Sequence, residues 1–170
     1  MLISIWLTVC LLFIFIQDLR SRAVYWLLFP VLLALLLTDA YRGQTTGTLL
    51  FNISVNLSFV SIQLLVLSAW FSYREKKWVW ITDGYLGWGD ILFLVCVAFY
   101  FPPVNYVVYY MASLVVTLAV SLPFLAKSGG SWKVPLAGIQ SILLLGLLSV
   151  CWAFKWSPFD DSLIISFLQP

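Results

Sequence analysis

The chain has 170 residues, of which 63% are hydrophobic, 18% aromatic and 9% charged, with nine basic residues, seven acidic ones, no histidine and a net charge of +2. An average soluble chain is about 45–50% apolar and about 25% charged, so this composition, with a mean hydropathy of +1.03, points to lipid as the solvent. It excludes a nucleic-acid binder, whose basic stripe a charge of +2 cannot supply, a disordered tail, and a disulfide-stapled secreted module.

Six apolar stretches follow in chain order: Leu2 to Ile16, Ala23 to Thr38, Thr48 to Phe71, Leu86 to Phe101, Val104 to Ala126 and Val134 to Phe154. They predict an all-α polytopic membrane protein of about six transmembrane helices, a single domain over residues 1–170. A bilayer core of about 30 Å needs roughly 20 helical residues at about 1.5 Å each. The third, fifth and sixth stretches meet that length, whereas the first, second and fourth are short. The first has no basic residues before it and no small-residue cleavage site ahead of Gln17-Asp18-Leu19-Arg20, so it reads as a retained helix rather than a signal peptide. Pro30 and Pro123 are expected to kink their helices, which neighbouring helices tolerate in a membrane. Asn52, Asn56 and Gln63 share one face of the third helix and should point into the bundle as interhelical hydrogen-bonding groups.

Charge sets the expected topology. The first, third and fifth loops hold Arg20, Arg22, Arg74, Lys76, Lys77, Lys127 and Lys133, seven of the nine basic residues. Lys and Arg stay on the cytoplasmic side, which places the odd loops inside and both termini outside. Trp70, Phe71, Tyr73, Trp78, Trp80, Tyr85 and Trp88 crowd the third loop and its flanks, as expected of a segment at the inner headgroup level.

Without histidine, Ser-His-Asp and Cys-His catalysis and imidazole-built zinc sites are removed. Cys10, Cys96 and Cys151 each stand alone in an apolar run and read as small hydrophobes packed between helices. No metal and no cofactor is expected. The chemistry therefore falls to carboxylates. Asp39, Asp160 and Asp161 lie in segments assigned outside, and Asp18, Glu75, Asp83 and Asp90 inside. Glu75, in Arg74-Glu75-Lys76-Lys77, reads as part of a solvated charge cluster, and Asp83, in Thr82-Asp83-Gly84, as a turn or helix cap. Asp90 follows Gly87-Trp88-Gly89 and precedes a run with no charge. If the fourth helix ends near Pro102 at the outer surface, Asp90 lies roughly 18 Å from that end, inside the hydrocarbon zone unless Pro102 is itself submerged. Ionisable groups at that depth are functional by default. Gly87 and Gly89 allow another helix to approach closely.

Asp18 closes the first helix at the same end, so two aspartates from separate helices can converge. Like charges a few ångströms apart in a poorly solvated site cannot both ionise, and the pair shares a proton. One carboxylate can then draw a proton from water while the other polarises a peptide carbonyl. Read alone, Asp18 is equally an interfacial cap paired with Arg20 or Arg22.

Gly87-Trp88-Gly89-Asp90 resembles the G-x-G-D motif of type IV prepilin peptidases and archaeal preflagellin peptidases, the GxGD membrane aspartic proteases. Gln17-Asp18-Leu19-Arg20-Ser21-Arg22-Ala23-Val24 is similar to the family's first motif, and Lys133-Val134-Pro135-Leu136-Ala137-Gly138 to the proline segment that opens its last helix. The resemblance implies a minimal peptidase core with Asp18 and Asp90 as the catalytic pair. It implies a type IV pilin-like precursor as substrate, cut at the cytoplasmic face of a bacterial inner membrane, with Arg20 and Arg22 near the substrate. Tyr25-Trp26 stands where the family has Pro-Asn, Ile91 where a polar continuation is common, and the cysteine-bearing segment that accompanies N-methylation is missing. Peptidase without methyltransferase activity is the expectation. Two rivals remain. A non-catalytic carrier or assembly factor accounts for the amide face and for one intramembrane carboxylate, though not for two at one end. A Ser-Lys nucleophile could draw on Ser128 or Ser131 with Lys127 or Lys133, in a loop that looks more like a flexible basic connector.

Overall fold

With no water to take up its amides, a chain crossing lipid must satisfy them within helices or a closed barrel, and among the described residues all regular structure is helical. The computed structural model describes residues 2–21, 23–76, 87–127 and 135–160, with the backbone alone for 124–127. Its helices are α1 (Leu2–Ser21), α2 (Leu28–Gly43), α3 (Thr46–Glu75), α4 (Trp88–Ala98), α5 (Pro103–Lys127) and α6 (Leu136–Phe154). The protein is an all-α polytopic membrane protein. α1, α3, α6 and the Pro103–Pro123 part of α5 are long and apolar enough to span a bilayer, whereas α2 has 16 residues and α4 has 11.

Burial is inverted relative to a soluble bundle. α3 buries Leu49, Asn56 and Val60 and turns Phe51 and Leu65 outward. Bulky apolar side chains on α1 and α5, such as Phe13 and Val115, are likewise exposed where lipid would cover them. α1 lies along α6 in the most extensive helix pairing of the fold. α4 is the central element: it packs on α2, α3 and α6 and buries Phe93, Leu94, Cys96, Val97 and Ala98. Exposed aromatics gather at both ends of the bundle, Tyr25, Trp26, Trp70, Tyr73 and Trp88 at one, Tyr41, Phe154 and Trp156 at the other. That distribution matches paired interfacial belts. Trp78, Trp80 and Tyr85 of the expected belt lie outside the described residues.

Several sequence expectations need correction. α1 continues through Gln17–Ser21 rather than stopping at Ile16, so Asp18 is helical. α2 begins at Leu28, not Ala23. The Leu28 carbonyl accepts from Cys10 Sγ at 3.8 Å, about two turns of α1 above Asp18, so the non-helical stretch 23–27 climbs alongside α1 before α2 opens. Gln17 Oε1 holds the start of this stretch by accepting the Tyr25 N–H at 3.0 Å. Pro30 does not kink α2: it is the third residue of the helix, where its missing N–H would have no intrahelical partner. Pro123 does lie inside α5. Nor does Pro102 mark a surface. The corner Tyr100-Phe101-Pro102 is buried in the bundle, so counting from Pro102 does not fix the depth of Asp90.

The amide face of α3 points inward, as its spacing predicts. Asn56 is buried, and its Nδ2 donates to the carbonyls of Ala98 (2.9 Å) and Phe101 (2.8 Å). Those acceptors belong to the end of α4 and the corner after it, where carbonyls lack helical partners. Asn52 Nδ2 donates to Gln44 Oε1 (2.7 Å), and Gln44 Nε2 donates to the Tyr100 carbonyl (3.2 Å). Gln63 Nε2 donates to the Tyr110 hydroxyl oxygen. Cys10 and Cys96 are free, buried thiols, and Cys151 is half-buried.

Candidate active site

α6 opens without help from its own sequence. Its N-cap is Pro135, which offers no side-chain acceptor, leaving the first amides of the helix in need of partners. Two carboxylates from other helices supply them. Asp90 Oδ1 accepts the Ala137 N–H at 2.8 Å, and Asp18 Oδ2 accepts the Gly138 N–H at 2.6 Å. Because these amides are consecutive, one peptide unit and two hydrogen bonds limit the separation of the two oxygens to about 9 Å.

Each carboxylate is positioned by its own element. Asp18 sits in the last turn of α1, only 7% exposed, where α1 crosses the start of α6. Asp90 is the third residue of α4, and its Oδ2 reaches back to the Gly87 N–H at 3.2 Å. That is half of a capping box, since Gly87 has no side chain to return the bond. Asp90 thus joins the openings of α4 and α6, and both helix dipoles point their positive ends at the carboxylates.

Glycines permit this convergence unequally. A Cβ on Gly138 would lie 3.0 Å from Asp18 Oδ2, 3.1 Å from Asp18 Cβ and 3.4 Å from the Phe15 carbonyl oxygen. The α1–α6 approach therefore depends on this glycine. A Cβ on Gly87 would lie 3.0 Å from Asp90 Oδ2, whereas one on Gly89 meets only Phe29 Cζ at 3.6 Å, an ordinary contact. Of the two motif glycines, Gly87 is the demanding one.

Arg20 is exposed beside the pair. Arg22, Asp83 and the Lys127–Lys133 loop with Ser128 and Ser131 lie outside the described residues, apart from the Lys127 backbone. Among the described residues no cluster of three or more His, Cys, Asp or Glu could hold a metal ion. A cavity of about 330 Å³ between α5, α6 and the segment after α6 runs from Trp156 and Asp160 at the opposite end up to Ser113 and Val116 of α5, and neither Asp18 nor Asp90 lines it.

The residues that sequence reasoning missed are those of α6 and α5. The Ala137 and Gly138 amides carry no side-chain signature, and the one hint is a proline followed by small residues at a helix start. Tyr109 O–H donates to the Gln140 carbonyl (2.7 Å), Gln140 Nε2 donates to Ser113 Oγ (3.2 Å), and Ser141 Oγ donates to the Gly138 carbonyl (2.7 Å). The first two tie the start of α6 to α5, and the third lies within α6. No protein-family model, curated protein or solved structure matches the chain, and the functional reading rests on this geometry.

Proposed function

We propose that the protein is a membrane-embedded aspartic endopeptidase resembling the prepilin peptidases, with Asp18 and Asp90 as its catalytic dyad. The observation that supports it most is the seating of these two side chains, 72 positions apart, on the consecutive amides of Ala137 and Gly138. Carboxyls a few ångströms apart in a poorly solvated site share a proton, an approach that this seating allows. In the reaction a water oxygen bonds to the scissile carbonyl carbon and gives a proton to the ionised carboxylate. The protonated partner donates to the carbonyl oxygen, which becomes the oxyanion. Collapse breaks the C–N bond, the departing nitrogen takes a proton, and the pair returns to its shared state. The helix openings that hold the carboxylates keep both in place at no cost in reorganisation.

The substrate class is a pilin-like precursor with a basic leader ahead of an apolar helix. On this reading the aspartate end faces the cytoplasm, the side that the basic loops favour, of a bacterial plasma membrane, with the exposed Arg20 available to the substrate. Tyr25 and Trp26, which depart from the family's Pro-Asn, are exposed there and would shape specificity rather than chemistry. The second reading, a carrier or assembly factor, is favoured by one observation: both aspartates also act as caps for helices that lack their own. The deciding experiment is co-expression with a pilin-like precursor. Leader removal lost in both Asp18→Asn and Asp90→Asn, in protein that remains folded in the membrane, supports the peptidase. Full cleavage by either variant refutes the dyad.

A further inference from the structure

α5 carries Ser113, Thr117 and Ser121 four residues apart, on one face, and all three are buried to 1–2% exposure. Hydroxyls in this protein ordinarily satisfy themselves on their own helix: those of Thr8, Thr38, Ser54, Ser58 and Ser149 each donate to the carbonyl four residues back. Ser113 does so three residues back, to Tyr110. Thr117 Oγ1 and Ser121 Oγ do not, and neither they nor Gln140 Oε1 has a hydrogen-bond partner among the described residues. A buried polar atom left without a partner costs about 1–3 kcal/mol, and three on one lane call for an occupant able both to donate and to accept.

The lane runs to the level of the aspartates. α5 and α6 are antiparallel, since Asn105 bonds to Pro158 while Ser113 bonds to Gln140. Measured along the helix axes from the Ser113–Gln140 bond, Ala137 lies about 4.5 Å and Thr117 about 6 Å toward the same end, with Ser121 about 12 Å along. Thr117 therefore stands level with the amides that seat Asp18 and Asp90, and Ser121 lies beyond the start of α6. Residues this deeply covered leave room only for something small.

We infer that Gln140, Thr117 and Ser121 line a hydrated path along α5 that delivers water to the aspartate pair. Water supplies the donor and acceptor that each of these groups lacks, with the two to four polar partners that a buried water requires. As a supply route for hydrolysis the inference rests on the peptidase reading. As a hydrated path it is tested without it.

The test uses the full chain with Cys10, Cys96 and Cys151 replaced by alanine, and cysteine introduced by Thr117→Cys, Ser121→Cys or, as a dry-core control, Leu144→Cys, whose parent side chain is fully buried. The probe is silver ion, close to water in size, in bilayer-reconstituted protein. Reaction at Thr117→Cys and Ser121→Cys at least about tenfold faster than at Leu144→Cys is the expected result. Rates at both positions as slow as at Leu144→Cys overturn the path and leave the dyad untouched. In the precursor assay Thr117→Val, which keeps the shape and removes the hydroxyl, lowers kcat several-fold at unchanged KM. Unchanged kcat overturns delivery even if silver enters. Reactive lane cysteines in a protein that cleaves no precursor sustain the hydrated path and refute the peptidase instead.

Discussion

The two ends of the bundle solve opposite problems, carbonyls in need of donors at one and helix-opening amides in need of acceptors at the other, with different residues. At the end away from the aspartates, neutral amides do the work. Asn56 caps the corner after α4, Gln44 and Asn52 extend the network, and Tyr100 O–H donates to Asp39 Oδ2 at 2.9 Å. Aromatic rings close over it, Tyr100 against Phe101 at 4.9 Å and against Phe159 at 5.1 Å between centroids. Phe159 lies so close over Gly43 that a Cβ there would overlap its ring. At the other end two carboxylates cap α4 and α6, and the hydroxyls of Thr117 and Ser121 have no hydrogen-bond partner among the described residues. Amides would have satisfied those helix openings as well. Two acids seat the helix-opening amides there, whereas at the other end a neutral hydroxyl caps α3, Thr45 Oγ1 accepting the Thr48 N–H at 3.4 Å.

Substitutions can break or sharpen that contrast. The largest expected effect is on activity: Asp18→Asn and Asp90→Asn each keep an oxygen acceptor for the α6 amide and each lose on the order of 10²–10⁴-fold in precursor processing, with little change in thermal stability for the first and a loss of about 1 kcal/mol for the second, which gives up the Gly87 N–H bond. Equal, severe unfolding of both variants would make them caps and erase the difference between the ends. Next is Asn56→Ala, which strands the Ala98 and Phe101 carbonyls and should cost about 1–3 kcal/mol in detergent unfolding, while the folded fraction still processes precursor at the parent rate. Gly138→Ala should cost about 1–3 kcal/mol by overpacking the α1–α6 crossing and should also lower processing, because the intruding methyl meets Asp18 itself. Tyr100→Phe removes one interhelical hydrogen bond and should cost about 0.6 kcal/mol, leaving processing intact. The smallest effect belongs to Gly89→Ala, where the added methyl finds ordinary contact and stability should move by no more than about 0.5 kcal/mol.

Much of the architecture was legible in the residues themselves. A chain in lipid must be helical or a closed barrel, and its long continuous apolar runs select helices and mark six of them whatever their exact ends. The inward face of Asn52, Asn56 and Gln63 followed from spacing alone, and the burial of Cys10 and Cys96 from their apolar context. The boundaries of α1 and α2 did not follow, because the climb of residues 23–27 is set by packing against α1 and by Gln17. The burial of the α4–α5 corner depends on Asn56 and Gln44, which are distant in sequence. Asp18 and Asp90 could be singled out by type, position and charge. Their seating on neighbouring amides of α6 could not, because the acceptors are side chains on two helices and the donors are backbone groups on a third. Residue types determined that this is an all-helical membrane protein, and motif and charge context singled out its two aspartates. The meeting of those acids was decided by tertiary structure, since backbone amides have no side-chain identity and only the crossing of α1, α4 and α6 brings them within reach.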